Sequence, residues 1–482
     1  MSRKLKLTDS LWLGIDIGTS SVKAVLINFD GDTILSKSLP TMSEVKSGIG
    51  CSGYEQNPQK CLKTVHDLVL PLIEKEKHRI NGIGVTGQMH GVVFWHKSKD
   101  KIESLECIDE SLSSNLYTWQ DQRCSSEFLE ALPKWGSSLQ CLSTGYGCAT
   151  MFWLARNHPT FFRDGEYCSC GTIMDFLVAI LCDIDHPVTS DQLAASLGYF
   201  DETTLGWSSV LQDVDEFPLH LLPKVVAAGT QVGEVCASLN GWPAGVPVFV
   251  GMGDVQCAMY DVLKNTSDAA VNISTSIQLG FVVPGHELEL VQQQSPSSIS
   301  YFPYFNGNKL ALCAGLNGGN AIHHFVQCIT KWFTDLGLID GINPDDLLPK
   351  LQELAEKQMN VNNTLIVRPI FFGERHNTGL AGHISGFNST NFSDIGAIFK
   401  LLCEGVVDHL HDMVPLKFLL SRGINQLLIS GSVPVNNPIV KQRLKQLYED
   451  IAVTLDLKET DAVSSAIGAA KLVRDRTTDV RI

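Results

Sequence analysis

The sequence lacks long hydrophobic runs, and only Cys168 and Cys170 among its cysteines lie close together in the chain. Its longest apolar stretch, residues 176–182, is far shorter than the ~18 residues that a membrane span requires. The 14 cysteines are scattered and include no CxxC pair, which in a chain of 482 residues indicates reduced thiols rather than a disulfide framework. We therefore expect no membrane association and a cytoplasmic location.

Positive charge is also scarce. The formal net charge is −15, from 37 Lys and Arg residues against 52 Asp and Glu residues. This balance argues against nucleic acid as a partner, because nucleic-acid binding depends on basic contacts to phosphates. With this charge balance, a polyphosphate would have to be held mainly by backbone amides and a metal ion. The sequence has no Walker A motif. A neutral, sugar-like small molecule suits this charge balance.

The length is sufficient for two domains with large cores. Antiparallel strands, a helix and a further strand are predicted over residues 11–85, and the same order recurs over 270–473, where it ends with a helix at 462–473. We expect an α/β protein with two domains, residues 1–262 and 263–482. The chain is predicted to pass from the first domain to the second within 261–268, where polar residues interrupt the apolar runs.

An apolar strand over residues 246–250 runs into the sequence GMGDVQ at 251–256. The strand delivers the carboxylate of Asp254 to its end, and the glycines at 251 and 253 allow backbone and ligand to approach closely. We hypothesise that Asp254 is a general base placed between a polyol and ATP. The alternative is an aspartate that only caps a turn after a strand.

Two strand–turn–strand segments carry the short donors that phosphate oxygens need. In the first, a buried strand ends near Asp16, a carboxylate suited to hydrated magnesium, and the donors that follow are Thr19, Ser20, Ser21 and Lys23. In the second, the donors are Ser274, Thr275 and Ser276. Each segment alone is equally compatible with an ordinary hairpin that has a polar turn. One such hairpin in each domain is the arrangement that clamps a triphosphate between them.

Other clusters suggest where adenosine and a polyol would bind. Small residues that would let a flat adenine lie against the backbone are Gly318, Gly319, Gly431, Ser432 and Asn436. Groups that could bind a polyol are Gln88, Met89, His90, Asp121 and Arg123, with a tryptophan nearby. Taken singly, His90 is equally a structural hydrogen-bonding residue, and Arg123 a surface or ion-pair residue.

Two patterns are interpreted as structural. Residues 82–87 match the GxGxxG dinucleotide fingerprint, but that mechanism needs a strand before the glycines and a helix after them. Here the segment itself is predicted to be the strand. The cluster Asp408, His409, His411 and Asp412 has helical spacing and is predicted to be a solvated face rather than a metal site.

The combination of GIDIGTSSVK, GVTGQMHG, TWQDQRCSSEF, GMGDVQ, NISTSIQL and the late Gly-Ser-x-x-x-Asn turn resembles the FGGY carbohydrate kinases. The resemblance extends from about residue 11 to residue 473. It implies two ribonuclease-H-like domains of the actin-like ATPase class, with ATP in an interdomain cleft, and phosphorylation of a terminal sugar hydroxyl. The segments GQMHGVVFW, SDQLAASLGYF, YFPYFNG and FGERH are most similar to the sedoheptulose-phosphorylating branch, whose product is sedoheptulose 7-phosphate of the pentose phosphate pathway.

By matching motifs, the resemblance implies a catalytic base at Asp254, a magnesium site at Asp16 and Asp254, and ATP contacts from the two hydroxyl-rich turns. It places residues 88–90, Asp121 and Arg123 on the sugar side. Ser274, Ser276 and Ser432 depart from glycines common in relatives, which leaves details of the nucleotide contacts open. The alternatives are the same chemistry on xylulose or another ketose, an actin-like ATPase without a sugar substrate, and a catalytically inactive sugar sensor.

Overall fold

The structure of this protein is a computed structural model that describes residues 7–97, 102–135, 142–162, 167–338, 343–358, 364–374, 377, 379–388, 391–455 and 465–478. The chain folds into two compact units. The first unit is Met1–Asp261 with Phe302–Asn308 and Ser464–Ile482, and the second is Val262–Tyr301 with Lys309–Val463. No helix in the described residues is long and apolar enough to cross a membrane.

The strands of the first unit form one large mixed sheet and several small sheets. They are β1 (Leu11–Ile17), β2 (Ser21–Ile27), β3 (Thr33–Pro40), β4 (Glu44–Val45), β5 (Glu55–Gln56), β6 (Ile80–Gly87), β7 (Val93–Trp95), β8 (Leu116–Tyr117), β9 (Ser169–Gly171), β10 (Val188–Ser190), β11 (Phe200–Asp201), β12 (Gly206–Trp207), β13 (Lys224–Val226), β14 (Gln231–Glu234), β15 (Pro247–Phe249) and β16 (Met252–Gly253).

The large sheet has the order β14-β15-β6-β1-β2-β3, and β16 also pairs with β6. Strands β1, β2 and β3 are antiparallel neighbours, whereas β1 and β6 run parallel. Every residue of β1 is buried, as expected for a strand covered on both faces.

The helices of the first unit are α1 (Pro58–Ile73), α2 (Ser126–Glu130), α3 (Gly147–Asn157), α4 (Ile173–Cys182), α5 (Asp191–Leu197), α6 (Asp254–Val262) and, from the end of the chain, α14 (Ser465–Thr477). Pro58 begins α1, and the side chain of Asn57 caps the helix by accepting a hydrogen bond from the backbone N–H of Lys60. Helices α1 and α4 pack against one face of the sheet and α14 packs against the other.

Glycines explain how closely α14 approaches the sheet. Gly14 of β1 and Gly84 of β6 are direct neighbours. A Cβ atom on Gly14 would lie 1.9 Å from the carbonyl oxygen of Ala466, and one on Gly84 would lie 2.6 Å from that of Ala469. The GxGxxG match at 82–87 therefore lies inside β6, and the structure assigns Gly84 to helix packing. The interpretation of this segment as a strand is confirmed.

The second unit contains a second mixed sheet. Its strands are β17 (Asp268–Ile273), β18 (Ile277–Val283), β19 (Ile299–Pro303), β20 (Lys309–Gly315), β21 (Ile366–Arg368), β22 (His383–Ser385), β23 (Gln426–Ser430) and β24 (Ala452–Leu455). Its helices are α7 (Leu288–Gln294), α8 (Gly319–Asp335), α9 (Pro344–Glu356), α10 (Ile395–Met413), α11 (Leu416–Ser421), α12 (Ser432–Asn436) and α13 (Pro438–Leu447).

The two sheets share one connectivity. In the second, β17 and β18 are antiparallel, β18 and β20 are antiparallel, and β17 runs parallel to β23, which runs parallel to β24. This repeats the pattern of β1, β2, β3 and β6 in the first unit, so the duplicated α/β order predicted from the sequence is present. The helix predicted at 462–473 is observed as α14, although Ala462 itself lies outside the described residues.

Because α14 packs on the first sheet, the compact units do not follow the chain as two continuous halves. The division into residues 1–262 and 263–482 stays a prediction about the two domains. A second local difference concerns Asp254. The strand predicted over 246–250 is β15 at Pro247–Phe249, and the carboxylate follows the short strand β16 as the first residue of α6.

Candidate active site

Two aspartates lie on either side of β6 in the first unit. Asp16 is the next-to-last residue of β1 and pairs with Thr86 of β6, while Thr86 pairs with Met252 of β16 on the opposite side. The hydroxyl of Thr86 donates to the carbonyl oxygen of Met252 at 3.0 Å. Gly253 follows and α6 begins at Asp254. The ends of these parallel strands therefore bring the predicted metal ligand and the predicted base to the same edge of the sheet.

Burial makes both carboxylates weaker acids than usual. Burial raises the pKa of Asp16 to about 6, and the neighbouring Lys23, which pairs with it across the β1–β2 hairpin, partly opposes the rise. Burial, followed by the charge of Asp16, raises the pKa of Asp254 to about 7. A general base works best with a pKa near the operating pH. Two carboxylates that repel one another also form a donor set suited to Mg²⁺.

The first hydroxyl-rich turn joins β1 to β2. The backbone N–H of Gly18 donates to the carbonyl oxygen of Ser21 at 3.0 Å and closes the turn. Ser20 is exposed, and Thr19, Ser21 and Lys23 are partly buried. The hydroxyl of Thr19 is bonded within the protein to Gln88 and Trp119. Ser20 and Ser21 carry the remaining hydroxyls of this turn.

The predicted sugar loop follows β6. Gln88 is buried and makes side-chain hydrogen bonds, while Met89 packs under β16, where a Cβ atom on Gly253 would lie 2.8 Å from its sulfur. His90 adopts a φ of 73° and its ring stacks on Tyr146 with centroids 4.5 Å apart. Its Nδ1 lies 2.9 Å from the carbonyl oxygen of Ser196. Because a carbonyl oxygen only accepts, Nδ1 carries the proton in this hydrogen bond.

Asp121 and Arg123 form a buried ion pair. Arg123 Nε lies 2.7 Å from Asp121 Oδ1, and the terminal nitrogen Nη2 contacts both Asp121 Oδ2 and Glu55 Oε1 at 2.9 Å. Asp121 is 0% exposed, and its oxygens also accept backbone N–H groups from Tyr54 and Arg123 itself. Arg123 also stacks over the ring of Tyr117, at 4.4 Å. Direct contact of Asp121 with a sugar stays a prediction, and it would require this ion pair to open.

Two buried glutamines beside β16, the strand that precedes Asp254, were not predicted as site residues. Gln192 Oε1 accepts the backbone N–H of Gly253 at 3.1 Å, and Gln256 Nε2 donates to the carbonyl oxygen of Pro303 at 3.4 Å. Gln192 Nε2 and Gln256 Oε1 are buried and have no hydrogen-bond partner among the described residues. The only sequence signal for Gln192 is its place in the segment SDQLAASLGYF.

In the second unit, the turn between β17 and β18 contacts the start of α8. The backbone N–H of Gly319 donates to the carbonyl oxygen of Ser274 at 2.7 Å, and that of Asn320 donates to the carbonyl oxygen of Thr275 at 3.1 Å. Gly318 also lies close to this turn, since a Cβ atom there would be 2.7 Å from the backbone of Ser276. The predicted second phosphate turn and the predicted adenosine residues are therefore one connected structure.

A cavity of about 440 Å³ opens beside this structure. Of the predicted nucleotide residues, those that line it are Ser274, Thr275, Gly319, Ser432 and Asn436. The sequence did not predict the rest of the wall, which is formed by Asn320, Ile322, His323, Leu348, Gln352, Val433 and Asn437. Ser276, Gly318 and Gly431 do not line the cavity. Gly431 begins the turn into α12 with a φ of 102°, and a Cβ atom there would lie 2.3 Å from the carbonyl oxygen of Ile273.

The cluster at 408–412 is mostly engaged by neighbouring side chains and is not a simple solvated face. Asp408 pairs with Arg368 and Arg443, at 2.9 and 2.7 Å. His409 is buried and its Nε2 lies 2.8 Å from Glu374 Oε1. In the part of the chain that the structure describes, no group of three or more His, Cys, Asp or Glu side chains could hold a metal ion.

Comparison with known proteins identifies the family of this chain. The FGGY family of carbohydrate kinases, N-terminal domain, matches residues 11–260. The chain is 35% identical to the sedoheptulokinase of Homo sapiens, over 96% of this chain and 97% of that protein. It is 21% identical to the xylulose kinase of Bacillus subtilis (strain 168), over 95% and 87%.

Among solved structures, the glycerol kinase of Plasmodium falciparum with ADP has a TM-score of 0.74 at 19% identity, covering 98% of this chain and 90% of that one. This likeness confirms the predicted fold class. The family match covers more than half of the chain, and the similarity to the human relative extends over nearly all of it. The chain belongs to the FGGY family of carbohydrate kinases.

Proposed function

We propose that this protein transfers the γ-phosphoryl group of ATP to the terminal hydroxyl of sedoheptulose and so produces sedoheptulose 7-phosphate. The observation that carries the proposal is Asp254, at the head of α6, with a pKa of about 7 and Asp16 across β6. The choice of sugar is supported by the 35% identity to the human sedoheptulokinase, compared with 21% to the bacterial xylulose kinase.

In this proposal Asp254 accepts the proton of the attacking hydroxyl. Phosphoryl transfer needs positioning and charge stabilisation more than covalent help from the protein. Met89 packs against Gly253 and Gln192 accepts its N–H, so the residue that precedes the base is held on two sides. His90 belongs to the sugar side in this proposal and is held by the bond from its Nδ1 to the carbonyl oxygen of Ser196, while the Asp121–Arg123 pair keeps the segment around Trp119 in position.

Magnesium belongs to the same proposal. The carboxylates of Asp16 and Asp254 fit a divalent cation: burial raises the pKa of both, the charge of Asp16 adds to the rise at Asp254, and a cation would offset the cost of ionising them. A magnesium ion bound there would neutralise charge on the β- and γ-phosphates. Ser20 and Ser21 of the first turn, with the backbone amides beside them, would then hold phosphate oxygens.

The cavity in the second unit would receive the nucleotide. Its hydroxyl-bearing side is the turn at Ser274 and Thr275, and its apolar side is formed by Ile322, Leu348 and Val433. A flat base suits the apolar side, and phosphates suit the turn. A location in a reducing compartment such as the cytoplasm is supported by the cysteines of the described residues, which are all free.

The test is to identify the product. Purified protein is incubated with ATP, Mg²⁺ and sedoheptulose, and the phosphorylated sugar is examined by phosphorus and carbon NMR. We expect a single monophosphate on carbon 7. A phosphate on another carbon, or ATP hydrolysis with no sugar phosphate, would contradict the proposal, and the second result would favour an actin-like ATPase.

A further inference from the structure

The carboxylate of Glu374 lies buried beside the junction between β20 and α8. Its Oε2 accepts the backbone N–H of Leu316 at 2.9 Å, and its Oε1 accepts a hydrogen bond from Nδ2 of Asn317 at 2.9 Å. Nε2 of His409, on α10, lies 2.8 Å from the same Oε1. All three side chains are buried, and the glutamate is 2% exposed. Glu374 belongs to the segment FGERH, to which the proposed function gives no role.

This carboxylate is ionised at neutral pH. Burial raises the pKa of Glu374, but the hydrogen bonds from His409, Asn317 and the backbone of Leu316 outweigh burial and hold the pKa below its usual range. An ionised carboxylate only accepts, so Nε2 of His409 carries the proton in its bond and Asn317 donates through its NH₂ group. Hydrogen bonds to a charged group are stronger than those between neutral groups. Glu374 is therefore a firm acceptor for two donors of the junction and one of α10.

Asn317 connects the junction to the segment that carries Glu374. Its Nδ2 also donates to the carbonyl oxygen of Gly373 at 2.8 Å, and its Oδ1 accepts the backbone N–H of Phe372 at 3.0 Å. Both the donor and the acceptor of this amide are therefore engaged. Removing one member of the network leaves buried polar groups of the others unpaired, which costs more than the bond itself contributes.

The same junction leads directly into the wall of the cavity in the second unit. Asn320 Nδ2 donates to the carbonyl oxygen of Leu316 at 2.8 Å, and Asn320 Oδ1 accepts the backbone N–H of Gly318 at 2.9 Å. Gly319 and Asn320 line the cavity of about 440 Å³, whereas Glu374 does not. Glu374 can therefore influence the cavity only through this junction.

The first turn of α8 depends on the junction because it has no side-chain cap. The backbone N–H groups of Gly319 and Asn320 donate instead to the carbonyl oxygens of Ser274 and Thr275, at 2.7 and 3.1 Å. The approach is close, since a Cβ atom on Gly319 would lie 2.6 Å from the carbonyl oxygen of Ser274. A small displacement of the junction would therefore break these bonds or push Gly319 against the predicted phosphate turn.

We propose that Glu374 is a positioning residue for the nucleotide, which holds the junction before α8 so that Gly319 and Asn320 form one wall of the cavity. This inference rests on the proposed function, because only that proposal assigns the cavity to ATP, and it goes beyond it by giving the buried carboxylate a role. Glu374 belongs to the second unit, whereas Asp16 and Asp254 belong to the first. Its loss should therefore weaken nucleotide binding and leave the proton transfer unchanged.

The test measures the dissociation constant of ADP with Mg²⁺ by calorimetry on the full chain, and the KM and kcat for ATP at saturating sedoheptulose. Glu374→Gln keeps the size of the side chain but replaces one acceptor oxygen by a donor, so it cannot accept all three bonds. We expect ADP binding to be about tenfold weaker, because a lost bond to a buried charged group changes an equilibrium by about this much. The KM for ATP should rise by a similar factor, while the kcat should stay within about twofold of the wild type.

Two variants at His409 separate the hydrogen bond from packing. His409→Gln keeps an NH₂ donor near the position of Nε2 and should bind ADP like the wild type. His409→Leu removes the donor and should weaken ADP binding severalfold. This variant also tests the proposal if Glu374→Gln does not fold.

The matched control is Asp268→Asn, a second change from a buried carboxylate to an amide in the same unit. Asp268 is 2% exposed, and its Oδ2 accepts the backbone N–H groups of Lys264 and Asn265 at 2.9 and 2.8 Å, at the start of β17. These bonds do not involve the junction before α8. The change should at most lower the Tm and should leave the dissociation constant of ADP unchanged.

Three results would overturn the inference. They are an unchanged dissociation constant of ADP in Glu374→Gln even if its Tm falls, equal weakening of ADP binding in Asp268→Asn, and equal weakening in His409→Gln and His409→Leu. An unchanged constant in Glu374→Gln with normal phosphorylation of sedoheptulose would remove the positioning role and leave the proposed function intact. No binding of ADP by the wild type would remove both. The expected changes in ADP binding without any sugar phosphate as product would remove the proposed function and keep the positioning role.

Discussion

Asp16 and Asp254 lie on opposite sides of β6, and the charge of Asp16 adds to burial in raising the pKa of Asp254 to about 7. The strand between them contributes Thr86, which pairs with Asp16 and bonds to the carbonyl oxygen of Met252. The spacing of the two carboxylates is therefore set by sheet register and not by a flexible loop. Three expectations about activity and metal binding depend on this geometry.

Replacing Asp254 by Asn removes the proton acceptor while keeping the size of the side chain. We expect turnover to fall by ~10²–10⁴, because general-base catalysis contributes about that much. Binding of an ATP analogue measured without Mg²⁺ should change little. The matched control is Asp30→Asn in the exposed turn between β2 and β3, which should behave like the wild type. A variant at Asp254 that kept a tenth or more of wild-type turnover would mean that another group takes the proton.

The raised pKa of Asp254 predicts a dependence of activity on pH. Its carboxyl group must be ionised to accept a proton, and its pKa of about 7 leaves it increasingly protonated as the pH falls below that value. The kcat/KM for sugar, measured at low nucleotide concentration, should be level above pH 7 and fall about tenfold per pH unit below it. A profile that stays flat down to pH 5 would contradict the assignment.

Asp16→Ala tests the metal site with a readout that does not depend on turnover. Both carboxylates have pKa values raised above 3.8, to about 6 and about 7, so their ionisation lowers the stability of the metal-free protein as the pH rises from about 4 to about 7. Adding Mg²⁺ and ADP should therefore raise Tm more at pH 8 than at pH 5. Asp16→Ala should remove most of this difference. An unchanged Tm response and unchanged use of Mg-ATP would show that the first turn is only structural.

Gly431→Ala tests the nucleotide cavity. The new Cβ atom would meet the carbonyl oxygen of Ile273 at 2.3 Å, so the turn into α12 must move away from the predicted nucleotide site. The control is Gly423→Ala, where φ is also positive but no described atom lies within 4 Å. Both changes carry backbone strain of ~1–3 kcal/mol. We expect only Gly431→Ala to raise the KM for ATP, by severalfold. An equal KM in both variants would show that this turn does not take part in nucleotide binding.

The sequence predicted the fold well where local patterns dominate. Hydrophobic runs and turn residues were sufficient for the β1–β2 hairpin, for the helix that follows it and for the repeated order in the second half. The sequence correctly placed Asp254 after a strand. It did not predict the break between β15 and α6, because a buried apolar run does not specify where the pairing of strands stops.

The chemistry of single side chains was harder to predict, because it depends on contacts between distant segments. The sequence predicts Asp121 as a sugar ligand, and the structure buries it beside Arg123 with both oxygens accepting hydrogen bonds. Gln56 lies in no recognisable motif, yet its Nε2 donates to the carbonyl oxygen of Thr19, 37 residues away. Leu348 and Gln352 line the cavity beside the β17–β18 turn because α9 packs beside α8.

The most direct test of the account is the choice of sugar. Purified protein is assayed by ADP release across sedoheptulose, xylulose and glycerol at fixed Mg-ATP, and the three kcat/KM values are compared. A missing hydroxyl leaves a buried polar group unpaired, so five-carbon xylulose should be at least tenfold poorer than sedoheptulose, or ~1.4 kcal/mol. The predicted result is a higher kcat/KM for sedoheptulose than for xylulose or glycerol. Xylulose or glycerol outrunning sedoheptulose would contradict the account.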